Sequence, residues 1–142
     1  TSAEEDGMTQ VQWRVGAVAT ALSLMMAAGA SAQYQGWTIP DTAKTEKSPA
    51  KNPADAANKG KSLYTSNCAK CHGPEGKGNG PDSDHAADLT DEFRTDLNPE
   101  GVLYYKIWNG HTNDMPAFKS SLTKDQVWNL VEYLRVLRTP KK

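Results

Sequence analysis

The chain has 142 residues, with 16 Lys and Arg against 17 Asp and Glu, for a formal net charge of −1. This near neutrality, with no basic block anywhere, argues against a nucleic-acid partner, and the length suits one small domain with tails. The only two cysteines are three positions apart, so no disulfide framework holds the fold.

From the N-terminus, Val15 to Ala30 is a sixteen-residue run without a charge, preceded by Arg14 and followed by Ala30-Ser31-Ala32. Charged flank, apolar stretch and small-residue site are the parts of a secretory signal peptide, so residues 1–32 are expected to be an N-terminal extension and export signal cleaved after Ala32. Met8 fits as the start of that signal. The run is short of the roughly 20 apolar residues a membrane span needs; a retained signal anchor is the alternative. Residues 33–51, rich in Lys, Thr, Ala and Pro, have linker composition. Tyr34, Trp37 and Ile39 are apolar for a free tether and are expected either to pack back on the domain or to anchor it on a partner. The remaining 52–142 form the folded domain.

Asn52 caps a first helix, with Pro53 at its first position and Asp55 in its first turn. Gly60, Leu63, Tyr64 and Asn67 recur on one face and lead to Cys68. There the chain reads Cys68-Ala69-Lys70-Cys71-His72, two thiols and an imidazole at the spacing of covalent c-type haem attachment. A zinc site would need two more ligands, and only His85 and His111 remain, neither at finger-like spacing. A dithiol redox motif would sit in a βαβ setting, whereas helix and glycine loop flank this one. Haem attachment is therefore the expectation, with the thiols as anchors and His72 as iron ligand.

Acidic residues crowd Asp82 to Glu100, while Lys59, Lys61, Lys70 and Lys77 bracket the motif. That arrangement reads as a solvated surface of mixed sign or as a lysine rim steering an acidic redox partner. A middle helix begins at Asn98-Pro99-Glu100, presents Val102, Leu103, Tyr105 and Ile107, and stops at Asn109-Gly110. In the last helix Thr123 and Gln126 form a capping box, Leu122 and Val127 a hydrophobic staple, and Val127, Leu130, Val131, Leu134 and Leu137 the buried stripe. No stretch alternates as a strand, so the domain is expected to be all-α.

From about Asn52 to Arg138 the chain resembles the class I c-type cytochromes. The resemblance rests on the haem motif and on Gly73, Gly76, Gly78 and Gly80 after it. Gly60, Tyr64 and Tyr133 match the family's helix crossing, and Ile107-Trp108-Asn109-Gly110 with Met115-Pro116-Ala117-Phe118 its distal segment. It implies three main helices plus short helices and loops wrapped around one haem c, and Met115 as sixth iron ligand, with His85 and His111 as competitors. Leu63, Leu89, Phe93, Leu97, Leu103, Ile107, Phe118, Leu130 and Leu134 are candidates to line the haem. Trp108, Tyr104, Tyr105 and Arg94 are candidates for its propionates.

With both axial positions filled by protein the iron exchanges single electrons, and the protein itself is no enzyme and takes no small-molecule substrate. An open iron that binds gases or peroxide is the alternative if Met115 does not ligate. The expected setting is the periplasm or the periplasmic face of the inner membrane. The expected partners are redox proteins of a respiratory chain, a quinol-oxidising complex or terminal oxidase. The domain serves there either as a carrier or as a fixed subunit of an assembly such as alternative complex III.

Overall fold

A computed structural model describes residues 36–112 and 114–138. The expected export signal, Met8 and Tyr34 lie outside these. The chain divides into two compact units, Thr1–Thr38 and Ile39–Lys142. Of the first only residues 36–38 are described, a turn in which Gly36 takes a φ of 82°.

The second unit is helical. In chain order it holds α1 (Asp41–Thr45), α2 (Pro53–Asn67), α3 (Ala69–His72), α4 (Glu92–Leu97), α5 (Glu100–Asn109), a 3₁₀ turn (Phe118–Ser120) and α6 (Lys124–Arg138). Among the described residues the only β pairing is an isolated bridge between His111 and Met115. The all-α expectation holds.

The ends of the long helices follow their sequence signals. Asn52 Oδ1 accepts the Asp55 N–H at 3.2 Å, and Pro53 occupies the first position, where its missing N–H costs nothing. At α6 the capping box closes both ways: Thr123 N–H donates to Gln126 Oε1 at 2.8 Å, and Gln126 N–H to Thr123 Oγ1 at 3.2 Å. Gly110 ends α5 with a φ of 65°.

α2 and α6 form the main packing pair, and α5 lies against α6. The crossing of α2 on α6 is at Gly60, where an added Cβ would collide with the Asn129 carbonyl and come within 2.8 Å of the Tyr133 Cβ. Tyr64, one turn on, is 1% exposed and meets the Tyr133 ring at a centroid distance of 5.2 Å. Tyr64, Leu103, Ile107, Val127, Trp128, Leu130, Val131 and Leu134 make one core cluster. Each fully buried aliphatic side chain contributes about 1.5–3 kcal/mol. Trp128 extends the buried stripe of α6 beyond the five positions its periodicity marks. Tyr104 stacks on it at 4.4 Å and on Trp108 at 5.8 Å.

The stretch read as a tether is in part packed. Ile39 and Ala43 are buried, and α1 lies on α5, with the Ala43 carbonyl against the Cα of Gly101. The Ser48 N–H then donates to Glu100 Oε2 at 2.8 Å, and Arg135 bridges Glu100 and the buried Glu132 at 3.3 and 3.0 Å. Two apolar side chains and one carboxylate thus fix residues 39–48. A short helix of this kind carries too few turns to show a periodicity. A cavity of about 700 Å³ opens beside this network, lined by Lys47, Glu100, Glu132 and Arg135 among others, and includes neither cysteine, His72 nor Met115.

Gly60→Ala gains about 1 kcal/mol of helix propensity but forces α2 off α6, a strain of about 3 kcal/mol or more. The net expectation is a loss of about 2 kcal/mol, read as a lowered urea midpoint of the haem-loaded protein; an unchanged midpoint would refute the crossing. Thr123→Ala removes one cap bond and should cost about 1 kcal/mol. For a domain of this size calorimetry should register that as a fall in Tm of about 5 °C.

Candidate functional site

Cys68 closes α2, its N–H bonded to the Tyr64 carbonyl at 2.8 Å, and α3 adds one more turn. The Cys71 and His72 N–H groups both return to the Cys68 carbonyl, at 3.1 and 2.9 Å. Within one helical turn, positions three apart share a face, so both thiols project to one side with His72 beside them. Both cysteines are free thiols and half-buried. Burial first, and then the neighbouring Cys71, pushes the Cys68 thiol up to about 12, so it stays neutral at any ordinary pH.

His72 Nδ1 lies 2.9 Å from the carbonyl oxygen of Ala87. A carbonyl can only accept, so Nδ1 carries the proton and donates, and the Nε2 lone pair is left for a metal. The same bond fixes the ring's orientation. The segment between them is wound back on α3: Gly78 N–H donates to the His72 carbonyl at 2.8 Å, Gly80 N–H to Cys71 at 3.0 Å and Asp82 N–H to Lys70 at 2.9 Å. The buried Tyr64 hydroxyl holds the Gly73 carbonyl at 2.7 Å.

Met115 sits in the loop between α5 and the 3₁₀ turn. His111 and Met115 exchange backbone bonds, the His111 N–H to the Met115 carbonyl at 2.8 Å and the Met115 N–H to the His111 carbonyl at 3.1 Å. Gly110 opens this loop in the left-handed region, and a Cβ there would meet the Met115 carbonyl oxygen at 2.6 Å. Met115 packs against the core cluster. The competing imidazoles both lie near carboxylates. His85 is exposed, with Nδ1 2.6 Å from Asp84 and Nε2 3.8 Å from Asp114; the Asp84 hydrogen bond, then its charge, raises its pKa. His111 Nδ1 lies 3.8 Å from Asp114.

Of the expected lining, Leu103, Ile107, Leu130 and Leu134 are buried in the core cluster, and Leu63, Leu89 and Phe118 pack against it half-buried. Phe93 is 76% exposed and packs on no part of the core cluster. Tyr104 and Trp108 are committed to the aromatic stack with Trp128. The lysine rim is thinner than the sequence suggests, since Lys59 pairs with Asp55 at 2.8 Å and Lys77 with Glu75 at 3.5 Å. Sequence reasoning missed the Ala87 carbonyl, because any residue offers one. It also missed Arg138, which donates to the Leu89 carbonyl at 3.1 Å and the Asn98 carbonyl at 3.2 Å. Its only signal was a basic residue at a helix end.

Two thiols on one face, an imidazole with its outer nitrogen tied and its inner one free, and a thioether on a constrained loop form a donor set that fits a covalently held haem. A family model described as "Cytochrome C oxidase, cbb3-type, subunit III" matches residues 55–134. Curated relatives include the cbb3-type cytochrome c oxidase subunit FixP of Azorhizobium caulinodans, 29% identical over 99 residues, 70% of this chain and 33% of the relative. FixP of Bradyrhizobium diazoefficiens is 33% identical over 89 residues, 63% and 30%. The chain thus spans about a third of the length of the curated relatives it matches. Among solved structures the KustC0563 c-type cytochrome is similar, with TM-score 0.50 and 27% identity, over 56% of this chain and 98% of that one. With the family match running over more than half its residues, the chain belongs to the cbb3-type cytochrome c oxidase subunit III family and carries a class I c-type cytochrome domain.

Proposed function

We propose that Cys68 and Cys71 would anchor one haem c, that His72 and Met115 would ligate its iron, and that the domain passes single electrons within a membrane respiratory complex. The observation that carries this reading is the His72 to Ala87 bond, which ties Nδ1 and leaves the Nε2 lone pair for an iron, within one helical turn of both thiols. Each thiol adds its sulfur to one carbon of a vinyl double bond and its hydrogen to the other, so nothing is lost. The haem iron supplies a one-electron ferric/ferrous couple. This chain's residues set its conditions: His72 stays in one tautomer, Met115 is held by the His111 pairing, and the apolar side chains of α5 and α6 exclude water.

Thioether and imidazole ligation together would favour the ferrous state and raise the potential, and with both residues on the iron no site would be left for oxygen. Membrane partnership is supported by the FixP relatives, whose name places them in an oxidase. No helix among the described residues is long and apolar enough to cross a membrane.

Met115→Ala should abolish the weak long-wavelength sulfur-to-iron band of the ferric protein. It should also lower the reduction equilibrium by more than tenfold, about 59 mV for one electron. An unchanged spectrum would remove Met115 as ligand. When membranes are solubilised in detergent, the haem-stained chain should co-purify with other respiratory subunits; quantitative release by salt alone would instead make it a peripheral carrier.

A further inference from the structure

The loop that presents Met115 is strained. Thr112, a β-branched residue within it, takes a φ of 44°, in the left-handed region that such side chains avoid. A conformation of that kind persists only where the surrounding structure holds it. The backbone bonds between His111 and Met115 close the loop on itself, so a hold from outside must come from other groups.

The His85 side chain reaches the loop from a different segment. Its Nε2 lies 3.8 Å from Oδ1 of Asp114, the residue directly before Met115, and the other oxygen of that carboxylate is 3.8 Å from His111 Nδ1. Asp114 therefore faces one imidazole from its own loop and one from residues 82–89. That second segment is well fixed. The Ala87 carbonyl accepts from His72, the Ala86 carbonyl lies against the Cα of Gly78 in a space no Cβ could share, and the Leu89 N–H donates to the Gly76 carbonyl at 2.6 Å. His85 is itself held at its root, with its N–H donating to Ser83 Oγ at 3.3 Å and its Nδ1 2.6 Å from Asp84.

We propose that His85 is a positioning residue for Met115: through Asp114 it braces the strained loop against the segment that orients His72. This rests on the reading of Met115 as an iron ligand given above.

Charge favours the contact. The Asp84 hydrogen bond first, then the Asp84 charge and in smaller part the Asp114 charge raise the His85 pKa, which favours the imidazolium. An imidazolium donates from both nitrogens, Nδ1 to Asp84 and Nε2 toward Asp114. The side chains of His85 and Asp114 are 66% and 59% exposed, so their pairing is of the weak, salt-screened kind. A weak brace sets how often the loop opens and leaves its closed geometry alone.

The test uses the haem-loaded ferric protein with imidazole as the probe, since added imidazole reaches the iron only after Met115 leaves it. At saturating imidazole, near-neutral pH and low salt, His85→Gln should bind the probe about two- to fivefold faster than the parent, and His85→Arg should keep the parent's rate. In 1 M salt, where screening acts over about 3 Å, the parent's rate should rise to that of His85→Gln. Asp114→Asn should also speed binding, and adding His85→Gln to it should change nothing further. A parent that shows the sulfur-to-iron band, with a rate that His85→Gln leaves unmoved, overturns the brace and leaves the ligation standing. A parent that lacks the band and binds imidazole without a limiting rate overturns Met115 as ligand and the brace with it.

Discussion

Everything around the site depends on how closely α2 and α6 cross. At Gly60 the two backbones approach to a distance that no side chain tolerates. That approach places Tyr64, one turn later, in the core against Tyr133, with its hydroxyl on the Gly73 carbonyl. Gly73 directly follows His72, so the crossing fixes where the glycine loop begins. The loop then returns along α3 to bring the Ala87 carbonyl onto His72. One missing methyl group thus sets the orientation of an imidazole twelve residues away, through a chain of contacts in which each step is buried or hydrogen-bonded.

The parts of this arrangement that were legible in the sequence are those in which a side chain's own chemistry dictates its place. Thr123 and Gln126 can satisfy each other only at a helix start, and Pro53 after Asn52 marks another. Cys68, Cys71 and His72 are recognisable because their spacing leaves few alternatives. What escaped are contacts made by backbone or by residues distant in the chain. The Ala87 carbonyl has no sequence signature. α4 is six residues long, too short for a periodic stripe, and its most apolar member, Phe93, faces outward. Ile39 and Ala43 are two apolar residues in a polar tract, and only their docking on α5 makes α1 a packed element. Arg138 looks like a dipole-complementing helix end, and its bonds to Leu89 and Asn98 span 49 and 40 positions.

A domain of this size has little apolar surface to spend, and its core cluster is drawn almost wholly from α2, α5 and α6. The half-buried side chains at its margin, Leu63, Leu89, Phe118 and Met115, are neither solvated nor enclosed on their own. A flat apolar ring laid against them would complete their burial, at roughly 25 cal/mol for each Å² removed from water. On this account a covalently held haem would also be the missing portion of the core, and the fold would be more stable with it than without it.

The two sides of the site are built differently, and this bears on how the iron would behave. His72 is held by contacts that reach across the chain: to Ala87 at fifteen positions and, through Gly73, to Tyr64 at nine. Met115 is held by backbone bonds that stay within His111 to Met115 and by the left-handed turn at Gly110. Local bonds of this kind open at a lower cost than core contacts, since few buried groups separate with them. The imidazole side is therefore the fixed support and the thioether side the yielding one. Of the two proposed ligands, Met115 is the one whose hold on an iron would depend on the conformation of a short loop.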